Sequence, residues 1–122
     1  MIFIDRNLVT IPKILEDGSV KAIEELQKAI EHFTGADKLK TYKNFKIYRD
    51  VSVKKKLIKM SKGKCAYCES TFLKTYVGDI EHFRPKGEIE ELKASNNSKP
   101  GYYWLAASWD NLLLSCRNCN QK

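Results

Sequence analysis

The feature that most constrains this chain is a repeated cysteine spacing, Cys65-Ala66-Tyr67-Cys68 and Cys116-Arg117-Asn118-Cys119, with no fifth cysteine left over. Two thiolates on one tight knuckle can reach a single ion, and two such knuckles complete a tetrahedral Cys₄ zinc site. A redox dithiol and unpaired structural thiols are the alternatives that the spacing leaves open. The compartment weighs between them. The chain opens Met1-Ile2-Phe3-Ile4-Asp5-Arg6, without the basic and then apolar stretches of a secretory signal. No run approaches the roughly 18 apolar residues of a membrane span. We therefore expect a cytoplasmic protein, where cysteines serve metals or catalysis in preference to disulfides. A zinc site built from the two pairs clamps what lies between them, including Gly78-Asp79-Ile80-Glu81-His82-Phe83-Arg84-Pro85-Lys86.

With 122 residues, 43% of them hydrophobic, the chain fits one small folded domain or a compact unit with a helical extension. Its net charge is +7, from 22 Lys and Arg against 15 Asp and Glu. Zinc held by four thiolates contributes −2, leaving about +5. A basic balance favours a polyanionic partner, although solubility alone accounts for mild basicity in many small proteins.

Along the chain, Met1 to Ile4 reads as an edge strand or packed terminus. Asp17-Gly18 makes a turn, and Ser19 caps a helix that runs to Thr34 and stops at Gly35. Ala22, Ile23, Leu26, Ala29, Ile30 and Phe33 form its apolar stripe. His32 falls beside the stripe and reads as a surface or half-buried histidine. Lys38 to Asp50 is a second helix or a strand-like lead-in. Ser52 is expected to cap a third helix, Val53 to Met60, with Lys54, Lys55, Lys56 and Lys59 on its outer face. That face is either simply solvated or a phosphate-contacting patch continued by Lys62 and Lys64.

Gly63 lets the backbone turn into the first knuckle. Tyr76 to Phe83 reads as a strand ended by Pro85. Glu88 to Lys93 is expected to form a helical turn, and Ala94 to Gly101 a surface loop. Tyr102 to Ala107 reads as helical, with Tyr103, Trp104 and Trp109 as core aromatics. Asp110 to Ser115 leads as loop and short strand into the second knuckle.

The order of these parts is a CxxC knuckle, Glu81-His82 with Pro85 three residues on, Asn111-Leu112-Leu113-Leu114, then a CxxC knuckle followed by Asn120. This resembles the HNH endonucleases in their zinc-stapled His-Me finger form, over Lys64 to Asn120. Gly63 to Glu69, Ile80 to Lys86, Tyr103 to Ala106 and Trp109 to Cys116 are similar to one branch in particular. That branch supplies the HNH nuclease component of Septu-type and retron-linked anti-phage systems, working beside an ATPase subunit.

The resemblance implies an α+β fold, a small zinc-stapled ββα-metal unit over residues 63–122 with a helical extension over residues 1–62. It implies that His82 is the general base and that Asn111 holds the loop and orients that base. Glu81 and Asn120 become ligands of a catalytic Mg²⁺ or Mn²⁺ distinct from the structural zinc on Cys65, Cys68, Cys116 and Cys119. The chemistry agrees with these roles. A neutral imidazole is a suitable base near pH 7, and a hard divalent cation takes oxygen ligands. Glu81 departs from the commoner Asp of the motif, and Asp79, on the same strand face, is a second candidate for the metal role. Arg84, Lys86 and Arg117 are close enough in sequence to contact the phosphates of DNA.

The family motif carries its last ligand on a helix after the second strand, whereas only Gln121 and Lys122 follow Asn120 here. Truncation of a longer protein, a helix that starts near Ser115 and frays, or completion by a partner each meet this departure. The first is favoured, with the expectation that the chain alone holds zinc but cleaves poorly. The rival class is a non-catalytic zinc-ribbon-like module that binds nucleic acid or protein.

Overall fold

The structure, a computed structural model, describes residues 4–36, 42, 44–74, 76–84 and 102–120, with Asn120 represented by its backbone. Helix α1, Val20–Thr34, begins where expected, with the Ser19 hydroxyl accepting the Ala22 N–H at 3.4 Å, and is capped at its other end by Gly35. Its stripe turns inward through Ala29, which is fully buried, and through Phe33, which stacks on Tyr103 at 4.5 Å between ring centroids. His32 is half-buried against the rings of Phe33 and Tyr42, each 4.8 Å away.

Helix α2, Val51–Met60, starts two residues before the expected position. Asp50, not Ser52, is the cap. Its carboxylate accepts both the Ser52 N–H at 3.0 Å and the Ser52 hydroxyl at 2.6 Å, so Ser52 becomes a donor inside the first turn. Val53, Leu57 and Met60 enter the core, as the apolar spacing predicts. Of the four lysines on the outer face, Lys56 donates to the Thr10 carbonyl at 2.8 Å and is held by that contact.

Strands β1, Asp79–His82, and β2, Leu112–Ser115, form a two-stranded antiparallel sheet that pairs Asp79 with Ser115, Ile80 with Leu114, Glu81 with Leu113 and His82 with Leu112. β1 is shorter than the strand predicted from Tyr76 to Phe83. Gly78 stands at φ +81°, which turns the chain immediately before Asp79, and Tyr76 donates its N–H back to the Phe72 carbonyl at 3.0 Å. All four residues of β2 are buried, which explains its near-continuous apolar sequence. Helix α3, Arg117–Asn120, follows Cys116 and packs on β1.

One core runs through both halves of the chain. Leu57 and Val53 from α2 meet Leu112 and Leu114 from β2, all at 0–1% exposure, with Phe45, Tyr48, Phe72, Trp109 and Cys65 around them. Each such aliphatic side chain contributes roughly 1.5–3 kcal/mol by leaving water. Arg6 ties the N-terminal segment to this core, donating to the carbonyls of Trp109 at 2.9 Å and Leu112 at 3.1 Å. Trp109 is buried at 5%, but Trp104 is 52% exposed and lies outside the core that its size suggests. The short 3₁₀ turn Tyr103–Leu105 presents Trp104 outward while Tyr103 faces α1. Most of the predicted lead-in before Ile47, the turn at Glu88 to Lys93, the loop from Ala94 to Gly101, and Pro85 and Lys86 lie outside the described residues.

Candidate metal centre and active site

The first knuckle is built by local hydrogen bonds. Cys65 donates its N–H to Ser70 O at 3.0 Å, and Glu69 donates back to Cys65 O at 3.0 Å, with Glu69 itself at φ +64°. Ala66 donates to Leu114 O at 2.9 Å, so this knuckle is hydrogen-bonded to β2. The second knuckle begins where β2 ends, Cys116 leaving the strand and Cys119 standing on α3. The four sulfur atoms all lie within 4.8 Å of one another, and Cys68 Sγ and Cys116 Sγ are 3.7 Å apart. A tetrahedron with Zn–S bonds of about 2.3 Å has edges of about 3.8 Å, so the cluster can hold a metal such as zinc.

The thiols face one another without equal shares of help. The Ser70 hydroxyl, 3.2 Å away, and the Ser70 N–H hold Cys68 down to about 6, whereas loss of water and the neighbouring sulfurs push Cys119 up to about 12. A divalent cation removes that conflict, because coordination deprotonates each thiol.

Consecutive residues of a strand leave it on opposite faces, and Glu81 and His82 do so here. His82 shares its face with Ile80, Leu112 and Leu114. Its Nε2 lies 2.9 Å from the carbonyl of Ala106, and its ring meets that of the buried Tyr48 edge-on at 4.4 Å. A carbonyl can only accept, so Nε2 carries the proton, and in the neutral ring Nδ1 is the basic nitrogen. Tyr48 is itself braced by Arg49, whose Nε donates to the Tyr48 hydroxyl at 3.0 Å.

Glu81 faces the knuckle side. Burial pushes its carboxyl above the ordinary value; a hydrogen bond with Ser115 opposes this and the charge of Asp79 adds to it. Glu81 Oε2 is buried and has no hydrogen-bond partner among the described residues. An acceptor oxygen in that state suits a hard cation, which needs no proton from its ligand. Tyr67, inside the first knuckle, is pushed up to about 12 by burial and then by Glu81, Cys65 and Cys119, so it remains a phenol. Asp79 is engaged by Tyr76, whose hydroxyl lies 2.9 Å from both carboxylate oxygens.

Asn111 is 6% exposed. Its Oδ1 accepts the Arg84 N–H at 2.8 Å, and its Nδ2 donates to Arg84 O at 3.1 Å and Leu105 O at 3.3 Å. It thereby joins the end of β1 to the Tyr103–Leu105 turn, one residue before the carbonyl that holds His82. Arg84 is exposed, its guanidinium 5.4 Å from the Tyr102 ring centroid, and Arg117 is exposed on α3. Lys86 lies outside the described residues, as does the side chain of Asn120.

The residues expected to act together therefore divide into a His82–Asn111 group and a Glu81–Asp79 group on the two sides of one strand. Sequence reasoning missed Tyr48 and the Ala106 carbonyl. A backbone oxygen has no signature in the sequence, while the Tyr48-Arg49 pair was visible as an aromatic beside a cation.

The class of protein that fold and site define is a small mixed helix and two-strand chain whose four-cysteine cluster can hold zinc beside a Glu-His strand. Over 77 residues the chain is 53% identical to the Septu protein PtuB of Bacillus mycoides (strain KBAB4), covering 63% of this chain and 26% of that protein. It is 35% identical over 71 residues to the Septu protein PtuB of Bacillus thuringiensis, covering 57% and 23%. The chain thus spans about a quarter of the length of the curated relatives it matches. No family model matches, and no solved structure matches.

Proposed function

We propose that this chain is the HNH-type nuclease unit of a Septu-type anti-phage defence system, hydrolysing phosphodiester bonds in DNA in the cytoplasm beside an ATPase subunit. The similarity to two Septu proteins supports the defence role. The observation that carries the chemistry is the His82 Nε2–H bond to the Ala106 carbonyl, 2.9 Å long. In the tautomer this bond favours, Nδ1 is the basic nitrogen and takes a proton from the attacking water. Asn111 positions this arrangement by binding the Leu105 carbonyl next to Ala106.

Glu81, whose buried Oε2 has no hydrogen-bond partner among the described residues, is the first candidate to hold Mg²⁺ or Mn²⁺, with Asp79 and Asn120 as further candidates. When bound, such an ion stabilises charge on the phosphate and on the departing oxygen. The four cysteines carry the structural zinc that fixes the knuckles around β1 and β2. Arg84, Lys86 and Arg117 contribute phosphate contacts.

The test is a plasmid-cutting assay with Mg²⁺, run on the chain alone and together with the candidate ATPase subunit. His82→Ala is expected to abolish cutting while zinc content and the folded circular-dichroism spectrum stay as in the parent. Undiminished cutting by His82→Ala would overturn the assignment.

A further inference from the structure

Two cations from the N-terminal half of the chain reach the strand that carries His82. A cleft of about 320 Å³ runs past Gly78, Asp79 and Ile80, and the other described residues that line it are Tyr48, Arg49 and Lys54. Tyr48 joins this cleft to the histidine: the His82 ring packs edge-on against it at 4.4 Å, and Ile80 shares the His82 face of β1. Two residues of strand advance about 6.7 Å, which matches roughly two nucleotides of duplex rise at about 3.4 Å each.

Arg49 is anchored at this place. Its Nε donates to the Tyr48 hydroxyl at 3.0 Å, and its guanidinium carbon stands 5.4 Å from the centroid of that ring. The bond uses one N–H donor of the side chain and sets the plane of the others. A planar fork held in this way matches the paired oxygens of a phosphate. Lys54, half-buried on α2, brings an ammonium to the same cleft. Asp79 also lines it, and the Tyr76 hydroxyl, 2.9 Å from both of its carboxylate oxygens, already engages that charge. Position separates Lys54 from the other lysines of its helix. Lys56 is tied to the Thr10 carbonyl, while Lys55 and Lys59 are exposed and do not line the cleft.

We propose that Arg49 and Lys54 form a seat for one backbone phosphate of the DNA, flanking the bond that is cut at His82. The N-terminal half of the chain then takes part in positioning the substrate, with residues that lie outside the knuckles and the Glu-His strand. The inference rests on the nuclease reading for its substrate, so its test reads binding apart from cutting.

The probe is a fluorescein-labelled DNA duplex, whose anisotropy is followed with the zinc-loaded chain carrying His82→Ala, between about 50 and 200 mM salt. Loss of one phosphate contact lowers the slope of log K against log salt by about 0.9. Arg49→Gln combined with Lys54→Gln is expected to lower the slope by about that amount and to weaken binding at low salt. Lys54→Gln alone leaves Arg49 on Tyr48 and is expected to weaken binding in the same direction by a smaller step. That single variant keeps the test decisive where the Arg49 change loosens Tyr48. Lys55→Gln combined with Lys59→Gln makes the same change in charge and is expected to leave the slope at the parent value. No DNA binding by the parent, an unchanged slope in the Arg49 and Lys54 pair, or an equal fall in the Lys55 and Lys59 pair would each overturn the proposal. A lowered slope in the Arg49 and Lys54 pair, with no cutting in the plasmid assay, would overturn the nuclease reading alone and leave the phosphate seat standing.

Discussion

Replacing Gly78 by alanine tests how the strand carrying Glu81 and His82 is held. Gly78 sits at φ +81°, where an L side chain costs about 1–2 kcal/mol. A Cβ at that position would also lie 3.1 Å from Leu114 Cδ1, 3.1 Å from Phe72 Cε2 and 3.3 Å from Phe72 Cζ. All three belong to core side chains with little room to retreat, and overpacking of this kind costs about 1–3 kcal/mol. The sum is roughly 2–5 kcal/mol. For a chain of this size each kcal/mol moves Tm by about 4 °C, so Gly78→Ala should lower Tm by roughly 8–20 °C at fixed zinc concentration.

A thermal melt followed by circular dichroism gives the number, and the double variant with Phe72→Leu separates its parts. Removing the ring should relieve the Phe72 part of the steric share and leave the Leu114 contact together with the backbone share of about 1–2 kcal/mol. A shift below about 2 °C for Gly78→Ala, or a penalty unchanged in the Phe72→Leu background, would refute the close-packed geometry at the head of β1.

Asn111→Ala removes three hydrogen bonds and leaves the Arg84 peptide partly unsatisfied, an expected loss of about 2–3 kcal/mol measurable by urea unfolding. Stripping metal with a strong chelator should expose all four thiols to a colorimetric thiol reagent and melt the tertiary structure, since comparable zinc sites contribute about 10 kcal/mol or more to folding. Unchanged near-ultraviolet circular dichroism after complete metal removal would contradict this. Asp50 is held below its ordinary value by the Ser52 hydroxyl and N–H. A depressed carboxyl stabilises the folded state above its unfolded value and loses that contribution as pH falls through the folded one. Asp50→Asn, which keeps the cap without the charge, should therefore flatten the fall of Tm below about pH 4.

What the sequence discloses and what it hides follow from the range of the forces involved. The limits of α1 were legible because Ser19, the apolar stripe and Gly35 act within a few turns of one another. The sulfur cluster was legible because metal geometry leaves few spacings open. The cap expected at Ser52 falls instead on Asp50, since both side chains can accept from the first turn and only the bond that the Ser52 hydroxyl donates to Asp50 decides between them. Trp104 was misread because size argues for burial, while the 3₁₀ turn that carries it alternates its side chains between α1 and solvent. The His82 contact to Ala106 and the shared clamp on Leu105 depend on chain segments that meet only after folding, and they involve carbonyls every residue possesses.

Asn111 accepts the N–H of Arg84 and donates to its carbonyl, across 27 residues of chain. The end of β1 and the Tyr103–Leu105 turn are thereby tied to a single amide side chain, so the Ala106 carbonyl and the imidazole it holds move as one frame and not as two independent segments.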